Sequence, residues 1–109
     1  MTPIIDATDA TFDAAVREPG LAIVDFWAVW CAPCRAIAPV LERIAAERED
    51  VRVVKVDSDA NVATMARFGI RSLPTLLFFK DGALVDQIVG AVGRDRIDRV
   101  VDRHVGAAV

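Results

Sequence analysis

The segment "LAIVDFWA", Leu21 to Ala28, is almost continuously apolar and rich in branched and aromatic side chains. A strand with one wet face alternates polar and apolar residues, whereas a run like this is buried on both faces, so the chain must build layers on either side of a sheet. "VRVVKVD", Val51 to Asp57, reads as a second buried strand. Asp25 interrupts the first run and Lys55 the second. From Ala32 to about Glu49, Ile37, Val40, Leu41, Ile44 and Ala45 recur at helical spacing, with Arg35, Glu42, Arg43, Glu47 and Arg48 on the opposite side. Pro39 lies inside this amphipathic helix and predicts a kink near Arg35, where it removes a backbone donor and crowds the preceding turn.

The remaining segments complete the layers. A short apolar start at Ile4 and Ile5 precedes a helix for which Thr8 or Asp9 offers a cap and which Glu18-Pro19-Gly20 ends. A short helix from about Ala60 to Phe68 stops at Gly69. "TLLFF" and "ALVDQIV" flank Asp81-Gly82, a dipeptide suited to the left-handed angles of a tight hairpin turn, so the last strands are antiparallel. A final helix starts near Arg94 and turns Ile97, Val100, Val101 and Val105 inward. The order β, α, β, α, β, α, β, β, α implies an α/β fold, a central mixed sheet flanked by helices on both faces.

A chain of 109 residues, of which 54% are hydrophobic and 27% charged, has enough apolar surface for one core, and residues 1–109 are expected to form a single domain. The 13 basic and 16 acidic residues are dispersed, and no basic run follows a phosphate backbone, which argues against nucleic acid. The longest apolar run is cut by Asp25 and is too short for a bilayer, and "MTPIIDATDA" lacks a basic leader and an apolar signal core, so no membrane association and a cytoplasmic location are expected. Disulfides are rare in that reducing compartment, which directs attention to Cys31 and Cys34 as catalytic or metal-binding groups.

Three uses compete for C-A-P-C. A structural disulfide would close a very small loop, where the entropic gain is least. A zinc site needs two more soft ligands, yet His104 is the only histidine and no third cysteine exists, which leaves a dimer sharing four thiolates as the zinc arrangement. Redox chemistry accounts for more of the residues. A strand running into a helix that starts near Cys31 places that thiol where unpaired N–H groups and the helix dipole stabilise a thiolate, which lowers thiol pKa values from about 8.5 to roughly 3.5–7.5. Pro33 suits the first helical turn, and Cys34 falls on the inward row of Ile37, Ala38 and Leu41, as a shielded resolving partner would.

Strand parity puts Asp25 on the face of Ile23 and Trp27, and Lys55 on that of Val53 and Asp57, so the two can meet across central strands as a buried salt bridge or as a proton-exchanging acid with a tuning cation. Trp27 reads as a core aromatic and Trp30 as partly exposed. Pro74 alone marks a strand start. "DSDAN" begins like a calcium loop, but Val62 occupies the position that needs glycine and Phe68 the one that needs glutamate. No phosphate-binding glycine loop is present, so no bound cofactor is expected.

W-C-A-P-C-R at Trp30 to Arg35 is similar to W-C-G-P-C-K, the signature of the thioredoxin family. "VDFWAVWCAPCRAIAPVLE", "VVKVDSDAN", "FGIRSLPTLLFFKDG" and "VGAV" resemble segments of bacterial-type thioredoxins in the family's order and cover nearly the whole chain. A lone C-x-x-C is a weak signal; one followed at the right distance by I-R-x-x-P-T is specific. The resemblance implies the thioredoxin fold and a general protein-disulfide reductase, a monomeric redox carrier rather than a metabolic enzyme. Cys31 would attack, Cys34 would resolve, Asp25 would act through water as the base for Cys34, and Lys55 would tune Asp25. Pro74 would have a cis peptide bond and face the dithiol. Leu73 and Pro74 would form one wall of a substrate groove completed by Trp30, Ala32, Pro33, Val89, Gly90 and Ala91. The implied partners are disulfide-containing proteins and the NADPH-dependent flavoprotein thioredoxin reductase. Ala32 departs from the family's glycine and puts the reduction potential in question, while Arg35 keeps the positive charge of lysine and should matter little. An oxidase or isomerase, or a binding module whose cysteines are incidental, is the competing reading.

Overall fold

A computed structural model of the chain describes residues 3–105. The ends of the expected domain, Met1 and Thr2 and residues 106–109, lie outside the described residues. The elements in chain order are β1 (Ile5–Ala7), α1 (Phe12–Arg17), β2 (Leu21–Trp27), α2 (Ala32–Glu47), β3 (Val51–Asp57), α3 (Val62–Arg67), β4 (Thr75–Lys80), β5 (Ala83–Val89) and α4 (Arg94–Val105). The expected order holds.

Among the described residues these strands form one sheet in the order β1-β3-β2-β4-β5. β1 and β2 both run parallel to β3, and β4 is antiparallel to β2 and to β5, so the sheet is mixed. β2 lies at its centre, and every residue from Leu21 to Phe26 is buried, Asp25 included. Alternate residues of the strands feed two cores. On one face Leu21, Ile23, Val53, Leu76 and Phe78 pack with Ile37, Leu41 and Ile44 of α2 and Ile97, Val100 and Val101 of α4. On the other, Val24, Phe26, Val56, Leu77 and Phe79 pack with Phe12 and Val16 of α1 and with Met65 and Phe68. The rings of Phe12, Phe68 and Phe79 meet there in tilted and edge-on pairs, with centroids 5.4–5.7 Å apart. Each such side chain contributes roughly 1.5–3 kcal/mol by leaving water.

The hairpin turn has the expected geometry, with φ of +51° at Asp81 and +86° at Gly82. α2 runs as one element through Pro39, whose ring lies on the exposed side. The cap expected at Thr8 or Asp9 takes a different form. Thr11 is the residue that opens α1, without a side-chain cap bond, and the Thr8 carbonyl receives the N–H groups of Thr11 and Phe12. Asp9 instead caps a different helix: its Oδ1 accepts from the Thr64 N–H at 2.9 Å and from Thr64 Oγ1 at 2.6 Å in the first turn of α3. That helix begins at Val62 rather than Ala60, because Ala60 belongs to the turn in which its N–H reaches the Asp57 carbonyl.

Candidate functional site

β2 ends at Trp27, and the chain passes through Ala28, Val29 and Trp30 before α2 begins. Cys31 is the N-cap residue of α2, with extended angles, and Ala32 and Pro33 make the first helical positions, where the missing proline N–H is harmless. Cys31 Sγ accepts the Cys34 N–H at 3.2 Å, so the first sulfur lies against the free N–H groups at the positive end of the helix. Cys31 and Cys34 are joined as a disulfide, with their Cα atoms 5.3 Å apart. They form a buried cluster with Ala28, against which Trp27 and Leu73 pack. Cys34 is shielded, at 3% exposed, and in this oxidised form Cys31 is covered equally, at 4%. The bond brings both side chains into one packing site.

Asp25 and Lys55 are direct neighbours in the parallel register of β2 and β3. Asp25 is completely buried, and neither of its carboxylate oxygens is hydrogen-bonded by a protein group. Loss of hydration pushes its carboxyl up to about 6, and the Lys55 charge partly offsets this. The direct salt bridge is therefore not formed: Lys55 Nζ lies 5.0 Å from the centre of the Trp27 ring, a cation-π position, and acts on Asp25 through space. Asp25 and Trp27 share one face of β2, and Trp27 packs against the cluster formed by Ala28, Cys31 and Cys34, so the buried acid lies on the same strand face as a side chain that supports the disulfide cluster.

Of the residues expected around the cysteines, Pro74 is buried, and the others fall on exposed or half-exposed surface. Trp30 is 68% exposed, and Ala32, Pro33, Val89 and Ala91 are exposed as well. Leu73 is half-buried against the cluster of Ala28 and the two cysteines, and the Leu73-Pro74 peptide bond is cis. The Gly90 N–H donates to the Pro74 carbonyl at 2.8 Å from a backbone with φ of +95°, an angle that favours glycine.

Two supporting side chains were not singled out by the sequence. Asp59, weighed there only as part of a calcium-like loop, accepts the Trp30 indole N–H at 2.9 Å. Arg35, expected to matter little, donates to the Val29 carbonyl at 2.6 Å and so holds the loop that carries Trp30. Neither has a signal in spacing, because both bonds depend on how the end of β3 and the first turn of α2 meet the 28–30 loop.

The family model described as Thioredoxin matches residues 3–103. The chain belongs to the thioredoxin family. It is 49% identical over 100 residues to thioredoxin 1 of Synechococcus elongatus, covering 90% of this chain and 94% of that one. It is 47% identical over 103 residues to the thioredoxin of Staphylococcus aureus, covering 94% and 98%. Among solved structures, a mutant thioredoxin from Halobacterium salinarum superposes with a TM-score of 0.89 at 30% identity, covering 96% of this chain and 95% of that one. The thioredoxin fold and dithiol-disulfide redox function follow, with Cys31 and Cys34 as the redox-active pair. Among the described residues no helix is long and apolar enough to cross a membrane.

Proposed function

We propose that the chain is a bacterial-type thioredoxin with a C-A-P-C centre, a single domain over residues 1–109 that reduces disulfides of cytosolic proteins. The observation that carries this reading is the Cys31–Cys34 disulfide at the amino end of α2, beside Trp27 and the cis-proline segment. In the reduced protein the Cys31 thiolate, favoured by the helix end, attacks one sulfur of a substrate disulfide. A Cys31–substrate disulfide forms, and the other substrate sulfur leaves as a thiolate. Cys34 then loses its proton to the Asp25 carboxylate, by way of water, and attacks Cys31 Sγ. The mixed disulfide breaks, the second substrate sulfur leaves, and the protein is left oxidised while the substrate has gained two electrons. Lys55 tunes Asp25. Leu73 and Pro74, with Trp30, Ala32, Pro33, Val89, Gly90 and Ala91, form the groove that receives an extended substrate segment. Thioredoxin reductase restores the dithiol with electrons from NADPH, and the protein works as a monomer in the cytoplasm.

The test is the equilibrium reduction potential of the Cys31–Cys34 pair, measured in graded redox buffers with tryptophan fluorescence as the signal. A value well below the cytosolic glutathione poise is expected of a reductant, even with Ala32 in place of glycine. A value near those of the oxidising exchange proteins would reverse the assigned direction of electron flow.

A further inference from the structure

The segment Ser72 to Thr75, next to the disulfide, exposes its backbone groups selectively. Thr75 is the first residue of β4, between Phe26 of β2 and Val89 of β5, and is 3% exposed. Its Oγ1 donates to the Ser72 carbonyl at 2.6 Å. On the far side of the cis bond the Pro74 carbonyl is held by Gly90 N–H at 2.8 Å, and proline has no N–H of its own. The carbonyls before and after Leu73-Pro74 are thus both occupied by protein donors. Among the described residues, the N–H and C=O of Leu73 have no protein partner, and Leu73 packs against the buried cluster that Cys31 and Cys34 form with Ala28. A hydroxyl at a buried strand position is costly unless it is hydrogen-bonded, and valine would fill the same volume with better strand propensity. The hydroxyl is there for its bond.

We infer that Thr75 is a positioning residue for substrate: its hydroxyl fixes the Ser72 carbonyl so that the Leu73 N–H and C=O stay free at the disulfide to pair with the backbone of an extended peptide. This rests on the reductase reading above. It singles out substrates that carry peptide groups beside the disulfide from those that carry none.

The experiment compares reduction of a disulfide-linked extended peptide with that of bis(2-hydroxyethyl) disulfide, which has no peptide groups. For Thr75→Val the ratio of kcat/KM for the peptide to that for the small disulfide should fall roughly three- to tenfold, the factor one modest hydrogen bond supplies, chiefly through KM. Thr75→Ser keeps the hydroxyl and should hold the ratio within about twofold of the original. An unmoved ratio in Thr75→Val, or an equal loss in Thr75→Ser, overturns the inference. If Thr75→Val does not fold, Thr75→Ala against Thr75→Ser carries the same comparison, since the two differ by the hydroxyl alone. Failure of both Val and Ala to fold while Ser folds also overturns it, by giving the hydroxyl a purely structural task. An unaltered protein that reduces neither compound sinks the reductase reading itself, whereas an active one with an unmoved ratio sinks only the role of Thr75.

Discussion

Asp25 holds its proton up to about pH 6 in the folded protein, against 3.8 for an unburied aspartate. Below about pH 4 both folded and unfolded chains carry the proton; between about 4 and 6 only the folded one does; above that the folded protein must hold a buried charge. The raised value therefore stabilises the fold at low pH relative to neutral pH, and the stability is lost as pH rises through about 6. At pH 8 the penalty approaches roughly 3 kcal/mol. Asp25→Asn should accordingly be more stable than the original protein at pH 8, by up to about that amount, with the gain vanishing near pH 4; urea titrations of the oxidised forms at the two pH values measure it. The same change should slow release of the mixed disulfide, and release kinetics that do not respond would leave Asp25 without a part in the chemistry. Cys34→Ser tests the order of attack: substrate proteins should accumulate as disulfide adducts on Cys31, detectable by mass on a non-reducing gel, and a lack of adducts would count against Cys31 as the attacking thiol.

Between elements, the clearest assignments are polar ones. Asp9 in the β1–α1 connection holds the first turn of α3, and the Asn61 side chain returns a bond by accepting the Asp9 N–H at 2.9 Å. Asp9→Ala should cost about 1–2 kcal/mol, as removal of a helix cap does, and the Thr64 amide in α3, not the amides of α1, should lose its protection from hydrogen exchange. Arg48 plays a comparable part at the other end of the chain's long helix. It donates to Asp98 at 3.2 Å and Asp102 at 2.8 Å, tying the end of α2 to α4. Pattern alone places α2 and α4 correctly, since Ile37, Leu41, Ile97 and Val101 recur on single faces. It cannot pair Asp9 with Thr64, which are 55 residues apart.

At the scale of the molecule, the disulfide links chemistry to folding. Its loop spans a sequence separation of only 3, yet cross-linking it still removes freedom from the unfolded chain, worth about 2 kcal/mol on the chain-entropy account. The oxidised protein should thus melt above the reduced one, by roughly 10 °C for a domain of this size. Calorimetry with and without dithiothreitol measures the difference, and a reduced form melting at or above the oxidised one would show that the reduced site is stabilised by more than the cross-link supplies. The double core makes the sheet a rigid base for this exchange: Val24 and Phe26 face one helical layer and Ile23 the other, so the loop after β2 is held from both sides.

Taken alone, the sequence determined the element order, the buried central strand, the Asp81-Gly82 hairpin and the position of Cys31 at a helix start. These follow from periodicity, turn angles and capping, which act over a few residues and are written in local spacing. Parity along two strands allowed Asp25 and Lys55 to meet, and the register of β2 on β3 made them direct neighbours. The cis bond at Pro74 was legible through family resemblance, not through its neighbours. Only the tertiary structure decided that Lys55 lies on Trp27 rather than in a salt bridge, that Asp59 and Arg35 hold Trp30 and its loop, that Asp9 serves α3, and that both cysteines are equally covered. Each depends on which groups the packing of strands, helices and loops brings into contact, a matter of tertiary arrangement that no local pattern encodes.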